Sequence, residues 1–363
     1  MTGRGGPEKR TMSGSPVPKP HIGDLTLDEL RAALAALGEP AYRADQAFEW
    51  LYKRGAAGPA SMANLPKTVR AKLAEAFRFG PLEVFGTARA KDRTEKHLFR
   101  LADGPCIETV LIPSGERTTI CVSTQVGCRR ACAFCASGRN GFVRNLAPSE
   151  IVGQVLHFRT VEGADVSNIV FMGMGEPFDN YDDVERALRI LNAPQGLGIA
   201  ARRMTVSTAG LIPGILRFKD LDLQVNLSIS LHAATDEVRS GIMPVNRKYP
   251  LEKLIAAAKE YIAGGGRKIT LEYILFRGLN DGLRDAEALA RVAARLQAKV
   301  NLIPYSPIAG LPFERPADSE VMAFVKRLNE IGTPATLRNS KGRDIQAACG
   351  QLAGLLLKGN PLR

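Results

Sequence analysis

The chain has 363 residues, 45% of them hydrophobic and 24% charged, and carries a formal net charge of +12. That composition suits a globular enzyme with a sizeable core, and no apolar run approaches the ~20 residues a membrane-spanning helix needs. Six cysteines are too few for a disulfide scaffold, and no apolar signal region opens the chain, so a reducing, cytoplasmic setting is expected.

The basic balance favours polyanionic partners through phosphate contacts and counterion release. Simple solubility would also explain it.

Residues 1–20 are rich in Gly, Pro and Ser with scattered basic residues, and read as a disordered basic tail. Residues 21–81 read as a small helical accessory domain. Thr26 and Glu29 form a T-x-x-E capping box. Leu27, Leu30, Leu34 and Leu37 follow a helical stripe, and Gly38 with Pro40 ends it. A second helix carries Ala47, Phe48, Trp50 and Leu51. A third starts at Pro66 with Val69, Leu73 and Phe77 inward. Tyr42, Arg43, Tyr52, Lys53, Arg54, Lys67, Arg70 and Lys72 give this domain a basic, partly aromatic exterior, suited to RNA or to solvent.

Residues 82–117 read as a short antiparallel β extension, with runs LEVFGTARA, KHLFRLA and CIETVLIP and a turn at Asp103-Gly104. From 118 to 363, strand-like runs alternate with helices: TTICVST, SNIVFMG, RMTVSTA, QVNLSISLH, KITLEYI and KVNLIP, then a weaker PATLRNS. Helices are expected at 149–162, 182–193, 251–263, 284–297 and 318–331. Repeated β–α units imply a parallel sheet with helical crossovers. The expected class is α/β, a partial (β/α)6-type barrel with its chemistry at the C-terminal ends of the strands.

Cys128, Cys132 and Cys135 stand at C-x3-C-x2-C spacing in CVSTQVGCRRACAFC. Thiolates suit iron–sulfur clusters and zinc. A [4Fe–4S] cube usually takes four thiolates, so a group of three leaves one iron open to a substrate. A zinc site usually shows a second Cys pair or a His pair, and neither follows here. Phe134 is placed to shield one side of such a cluster. Arg129 and Arg130 add positive charge beside it. Downstream, Gly173, Gly175 and Glu176 in GMGEP allow close backbone approach and offer a carboxylate to an ammonium group.

Together, CVSTQVGCRRACAFC, GMGEP, STAG, SLHA and RDIQAACGQL resemble the radical S-adenosylmethionine (SAM) family, and more narrowly its dual-specificity RNA adenosine-C2 methyltransferases, the RlmN family. LGEPAYRADQAFEWLY extends the resemblance into the helical domain. The resemblance implies that Cys128, Cys132 and Cys135 hold one [4Fe–4S] cluster whose open iron chelates SAM. It implies that Gly175, Glu176, Ser207, Ser230, Leu231, His232 and Ser306 bind SAM. Ser306, in NLIPYSP, stands where the family usually has Asn. It further implies that one SAM methylates Cys349, that a radical made from a second SAM activates that S-methyl group, that Glu108 accepts the C2 proton, and that Cys121 resolves the adduct through a transient disulfide with Cys349. The implied substrates are a specific adenosine of 23S rRNA at the peptidyl-transferase centre and adenosine 37 of tRNAs. A reductase such as flavodoxin or ferredoxin would be the electron donor. Two alternatives stand beside this: a related adenosine-C8 rRNA methyltransferase of the antibiotic-resistance type, and a non-catalytic, zinc-stabilised RNA-binding protein. Arg338, Lys341 and Arg343 are placed to grip phosphates, and a bend at Gly342 to let the Cys349 loop move. Cys106, His21, His97 and His157 have no assigned role.

Overall fold

The computed structural model describes residues 19–353. The tail expected at 1–20 lies outside the described residues up to position 18.

Ten strands form one sheet. The first four are β1 (Glu83–Arg89), β2 (Glu95–Arg100), β3 (Cys106–Ser114) and β4 (Arg117–Cys121), joined in antiparallel register. Two short strands, β5 (Gln125–Gly127) and β6 (Phe142–Asn145), form a separate antiparallel pair around the cysteine loop. The main sheet then continues through β7 (Asn168–Phe171), β8 (Met204–Thr208), β9 (Asn226–Ser230), β10 (Thr270–Leu275), β11 (Lys299–Pro304) and β12 (Ala335–Leu337). From β4 to β12 every neighbouring pair is parallel. Strand order in the main sheet follows chain order throughout. The expected partial barrel is present, and β4 belongs to both its halves. It pairs with β3 on one side and β7 on the other.

The expected crossover helices form at Pro148–Thr160, Tyr181–Asn192, Leu251–Ala263, Leu283–Leu296 and Asp318–Glu330. Each buries an apolar stripe against the sheet. Shorter helices at Ile212–Lys219 and Asp236–Ile242 add to them. The parallel strands bury Ile169, Phe171, Val206, Leu227, Ile229, Leu271, Val300 and Leu302, with the buried polar residues Ser207, Thr208, Ser228 and Glu272 among them.

The N-terminal helices are Leu27–Ala36, Tyr42–Tyr52 and Lys67–Ala76. The capping box is present: Glu29 N donates to Thr26 Oγ1 at 3.3 Å, and Thr26 N donates to Glu29 Oε2 at 2.9 Å. This unit rests on the barrel, with Ser149 N donating to Asp24 Oδ1 at 3.0 Å. Tyr52 corrects the expected exterior. Its ring is buried against Phe48 at 4.5 Å, because the helical stripe of Ala44, Ala47, Phe48 and Leu51 continues to it.

Candidate active site

The strand ends converge on one cavity. Cys128, Cys132 and Cys135 line it together with Gly175, Glu176, Ser207, Ser230, His232, Glu272 and Cys349. The cysteine loop is held as a compact turn. Cys128 N donates to Gly141 O at 2.9 Å, Cys135 N to Cys132 O at 3.1 Å, and Ala133 N to Ile242 O at 2.9 Å. Arg130 does not point at the cysteines; it pairs with Asp179 at 2.8 Å. Arg129 lies over the Phe142 ring at 3.8 Å. Phe134 is buried and meets the His232 ring edge-on at 5.0 Å.

Burial pushes the Cys128 thiol up to about 12, and drives Cys132 and Cys135 upward as well. Three crowded thiols of this kind become thiolates only around a cationic centre, with release of their protons. All three line one cavity, and thiolate is a soft donor that suits iron–sulfur clusters.

Beyond the cysteines, the GMGEP turn is fitted against β5. Gly175 has φ +102°, and a Cβ there would come within 2.6 Å of the Gln125 side chain, so only glycine brings this backbone so close. Glu176 N donates to Gln125 Oε1 at 2.9 Å. The Glu176 carboxylate is buried; Oε2 accepts from Ala209 N at 2.7 Å and Oε1 from Phe178 N at 3.1 Å. Burial raises it to about 7, outweighing those hydrogen bonds. An ammonium group in the cavity would favour its charged form.

Ser207 and Ser230 face each other across β8 and β9 with hydroxyls 3.4 Å apart. His232 has φ +55°. Its Nδ1 accepts from Ile274 N at 3.2 Å, which puts the ring proton on Nε2. Burial, with Arg239 adding to it, lowers it to about 3, so the ring is neutral. Leu231 is buried and gives its carbonyl to Arg239 Nε at 3.0 Å. Ser306 is buried past the end of β11, is not among the cavity-lining residues, and its hydroxyl finds no hydrogen-bond partner among the described residues.

Three functional neighbours lay outside the sequence reading or were misjudged by it. Arg239 is buried and donates to Ala209 O at 2.7 Å, Leu231 O at 3.0 Å and Asn246 Oδ1 at 2.7 Å. It thus fixes the ends of β8 and β9. Glu272 lies in the cavity wall, accepting from Asn301 Nδ2 at 3.0 Å and Ser228 Oγ at 3.2 Å. Arg338 was expected to grip phosphates. Instead it turns inward to Glu272 at 3.7 Å, because β12 places it at the edge of the strand ends, where its N donates to Leu302 O.

Cys349 is exposed at the cavity mouth. Crowding pushes its thiol up, and Arg338 is the first charge to pull it down; solvent access moderates the crowding. The segment that carries it is laced to the cysteine loop. Ala136 N donates to Gly350 O at 2.8 Å, Ser137 Oγ to Leu352 O at 2.6 Å, and Asn140 Nδ2 to Ala353 O at 2.6 Å. Ala353 N in turn donates to Glu108 Oε2 at 2.6 Å. Glu108 is buried on β3 and pairs with Lys96 of β2. Gly342, with φ +62°, is pinned to Asp92 through its N at 3.1 Å. Cys121 ends β4, buried beneath the mouth, and burial pushes it to about 12. All six cysteines are free thiols; no Cys121–Cys349 bond is formed.

The radical SAM superfamily profile matches residues 122–291, and the profile of the ribosomal RNA large subunit methyltransferase N-terminal domain matches 21–78. A probable dual-specificity RNA methyltransferase RlmN of Geobacillus kaustophilus is 46% identical over 95% of each chain. Another, from Akkermansia muciniphila, is 44% identical over 92% of this chain and 96% of its own. The crystal structure of a radical SAM methyltransferase from Sphaerobacter thermophilus superposes with a TM-score of 0.87 at 47% identity, covering 92% of this chain and 99% of that one.

Proposed function

Because this chain belongs to the RlmN family of radical SAM RNA methyltransferases, we propose that it methylates C2 of a specific adenosine in 23S rRNA at the peptidyl-transferase centre and C2 of adenosine 37 in tRNAs. The observation that supports this reading is the convergence of the cysteine triad and Cys349 on one cavity, with the segment that carries Cys349 hydrogen-bonded to both the cysteine loop and the buried Glu108. A non-catalytic zinc module needs no exposed Cys349 opposite the triad.

In this reading Cys128, Cys132 and Cys135 hold one [4Fe–4S] cluster, and Glu176, Ser207, Ser230 and His232 orient SAM, Glu176 through its ammonium group. When bound, the cluster and SAM supply a methyl group and one-electron chemistry, with a flavodoxin- or ferredoxin-like reductase as donor. Cys349 accepts the methyl group on sulfur as a thiolate, favoured by Arg338. The one-electron chemistry of the bound cluster and SAM would remove a hydrogen atom from the S-methyl group and, once its carbon has joined adenine C2, take back one electron from the adduct; Glu108 would then take the C2 proton. The Cys121 thiolate then attacks the Cys349 sulfur. An S–S bond forms, the C–S bond breaks, and its electron pair leaves with the base-bound carbon, which takes up a proton.

The N-terminal helices offer a docking face. Arg54 stacks over Trp50 at 4.5 Å and Arg43 over exposed Tyr42 at 4.7 Å, which suits phosphates and unpaired bases. Access to the base needs a flipped nucleotide or a single-stranded loop. The chain would act in the cytoplasm, where both RNAs are found; among the described residues no helix is long and apolar enough to cross a membrane.

Nucleoside mass spectrometry of RNA treated with the cluster-loaded enzyme tests this. The expected product is 2-methyladenosine. An 8-methyladenosine product would replace the reading with the C8 chemistry, and no methylated adenosine would sink it.

A further inference from the structure

His97 and His157 had no role in the sequence reading, yet the fold brings them together. His97 sits inside β2, its side chain 2% exposed. His157 lies in the last turn of the helix Pro148–Thr160, and Glu162 follows that helix. One ligand atom from each of His97, His157 and Glu162 lies within 4.8 Å of the other two.

Three details go beyond ordinary packing. First, His97 Nε2 faces Glu95 Oε2 at 3.3 Å, and Arg89 holds the other Glu95 oxygen at 3.2 Å. With the carboxylate accepting, the ring proton is on Nε2 and Nδ1 carries a bare lone pair. That Nδ1 is buried and has no hydrogen-bond partner among the described residues. Second, His157 Nε2 is also buried without a hydrogen-bond partner. It stands 3.6 Å from Glu162 Oε1, too long for a good hydrogen bond. It is close to the ~3.4 Å edge of a tetrahedron built on zinc–ligand bonds of ~2.0–2.2 Å. Third, a carboxylate on the far ring nitrogen is the usual device for orienting a metal-bound imidazole, and Glu95 occupies that position.

We propose that His97, His157 and Glu162 form a second metal site, for a zinc-class divalent cation, with water completing a tetrahedron. Its donors are imidazole nitrogen and carboxylate oxygen, so it is chemically distinct from the cysteine triad. Phe99 and Phe158 pack against the two rings, at 5.2 Å from His157 and 4.5 Å from His97 respectively, and Glu162 opens it to solvent. The ion would clamp β2 to the helix Pro148–Thr160. The opposite face of β2 and β3 carries Lys96 and Glu108, so the clamp would stiffen the strands behind the proton acceptor. The site does not depend on which base carbon is methylated.

The test uses full-length enzyme already loaded with its iron–sulfur cluster, so that the triad is occupied. The protein is equilibrated with zinc, desalted, and analysed for iron and zinc by mass spectrometry. One zinc per chain is expected in the wild type, with iron unchanged. Glu162→Ala, at an exposed position, and His157→Gln should both lose it. In a competition titration Glu95→Gln should weaken zinc by about 10–100-fold, as loss of an orienting carboxylate does. A wild type that retains no zinc, or a Glu162→Ala or His157→Gln enzyme that retains as much as the wild type, overturns the proposal.

Discussion

Lys96 Nζ lies 3.0 Å from Glu108 Oε1, and each side chain is 1% exposed. The pair bridges β2 and β3 on the face turned toward the active site, and Lys96 also donates to Gln346 O at 3.3 Å. The Glu108 carboxylate is thus held between Lys96 and the C-terminal segment.

Truncating one partner of a buried ion pair typically costs about 3–5 kcal/mol. Lys96→Met should lower the stability of the protein by that amount in urea titrations. The double variant Lys96→Met/Glu108→Gln should recover a large part of it. Equal losses in the single and double variants would show that the pairing is not what matters.

Glu176 gives a pH prediction. Its folded-state value, about 7, lies above its ordinary 4.5, so the folded protein holds the proton more tightly than the unfolded chain. Its contribution to stability is therefore fully present below pH ~4.5. It falls as pH rises to ~7 and is flat above, a total of ~3 kcal/mol at 1.36 kcal/mol per unit. In cluster-free protein, the stability difference between wild type and Glu176→Gln should follow that slope. A pH-independent difference would contradict the burial argument.

Cys121 and Cys349 give a chemical prediction. With Cys121→Ala the adduct cannot be resolved, and a covalent protein–RNA species should accumulate on denaturing gels. It should vanish in Cys121→Ala/Cys349→Ala. Wild-type turnover by Cys121→Ala without any adduct would remove Cys121 from the reaction.

Arg338 is the cation nearest in effect to Cys349, with Glu272 opposing it. Arg338→Met leaves the carboxylate alone beside the sulfur and pushes the thiol further up. Methylation of Cys349, followed by peptide mass, should slow at neutral pH and recover as pH is raised. Arg338→Lys should restore most of the neutral rate. A uniform loss across pH would point to packing instead.

The regular elements were legible because their signals are local. Short strand-like runs bounded by the Asp103-Gly104 turn marked β2 and β3, the Thr26–Glu29 box marked a helix start, and β–α repetition marked the barrel. What escaped was set by contacts distant in sequence. The hairpin β5–β6 has strands of only three and four residues, too short to show a period. The helix Ile212–Lys219 was not among the expected ones; it is short and opens on Pro213 and Gly214, and proline in the first turn is compatible with a helix. Arg239 looks like any surface arginine in its helix, and only the fold turns it onto three acceptors. Residue type alone put Tyr52 in a basic, partly aromatic exterior and Arg338 among cations gripping phosphates. One belongs to an apolar stripe and the other to an internal carboxylate. The cysteine triad, Glu176 and Cys349 were legible through motif resemblance, whereas the convergence of His97 on His157 across a strand and a helix had no sequence spacing to announce it.

The amide of Ala353 occupies an oxygen of Glu108, while the same five-residue stretch presents Cys349. If Cys349 carries the methyl group and Glu108 takes the proton, this one stretch of backbone links the two roles: an adenine approaching the carboxylate would compete with the Ala353 amide for the same oxygen.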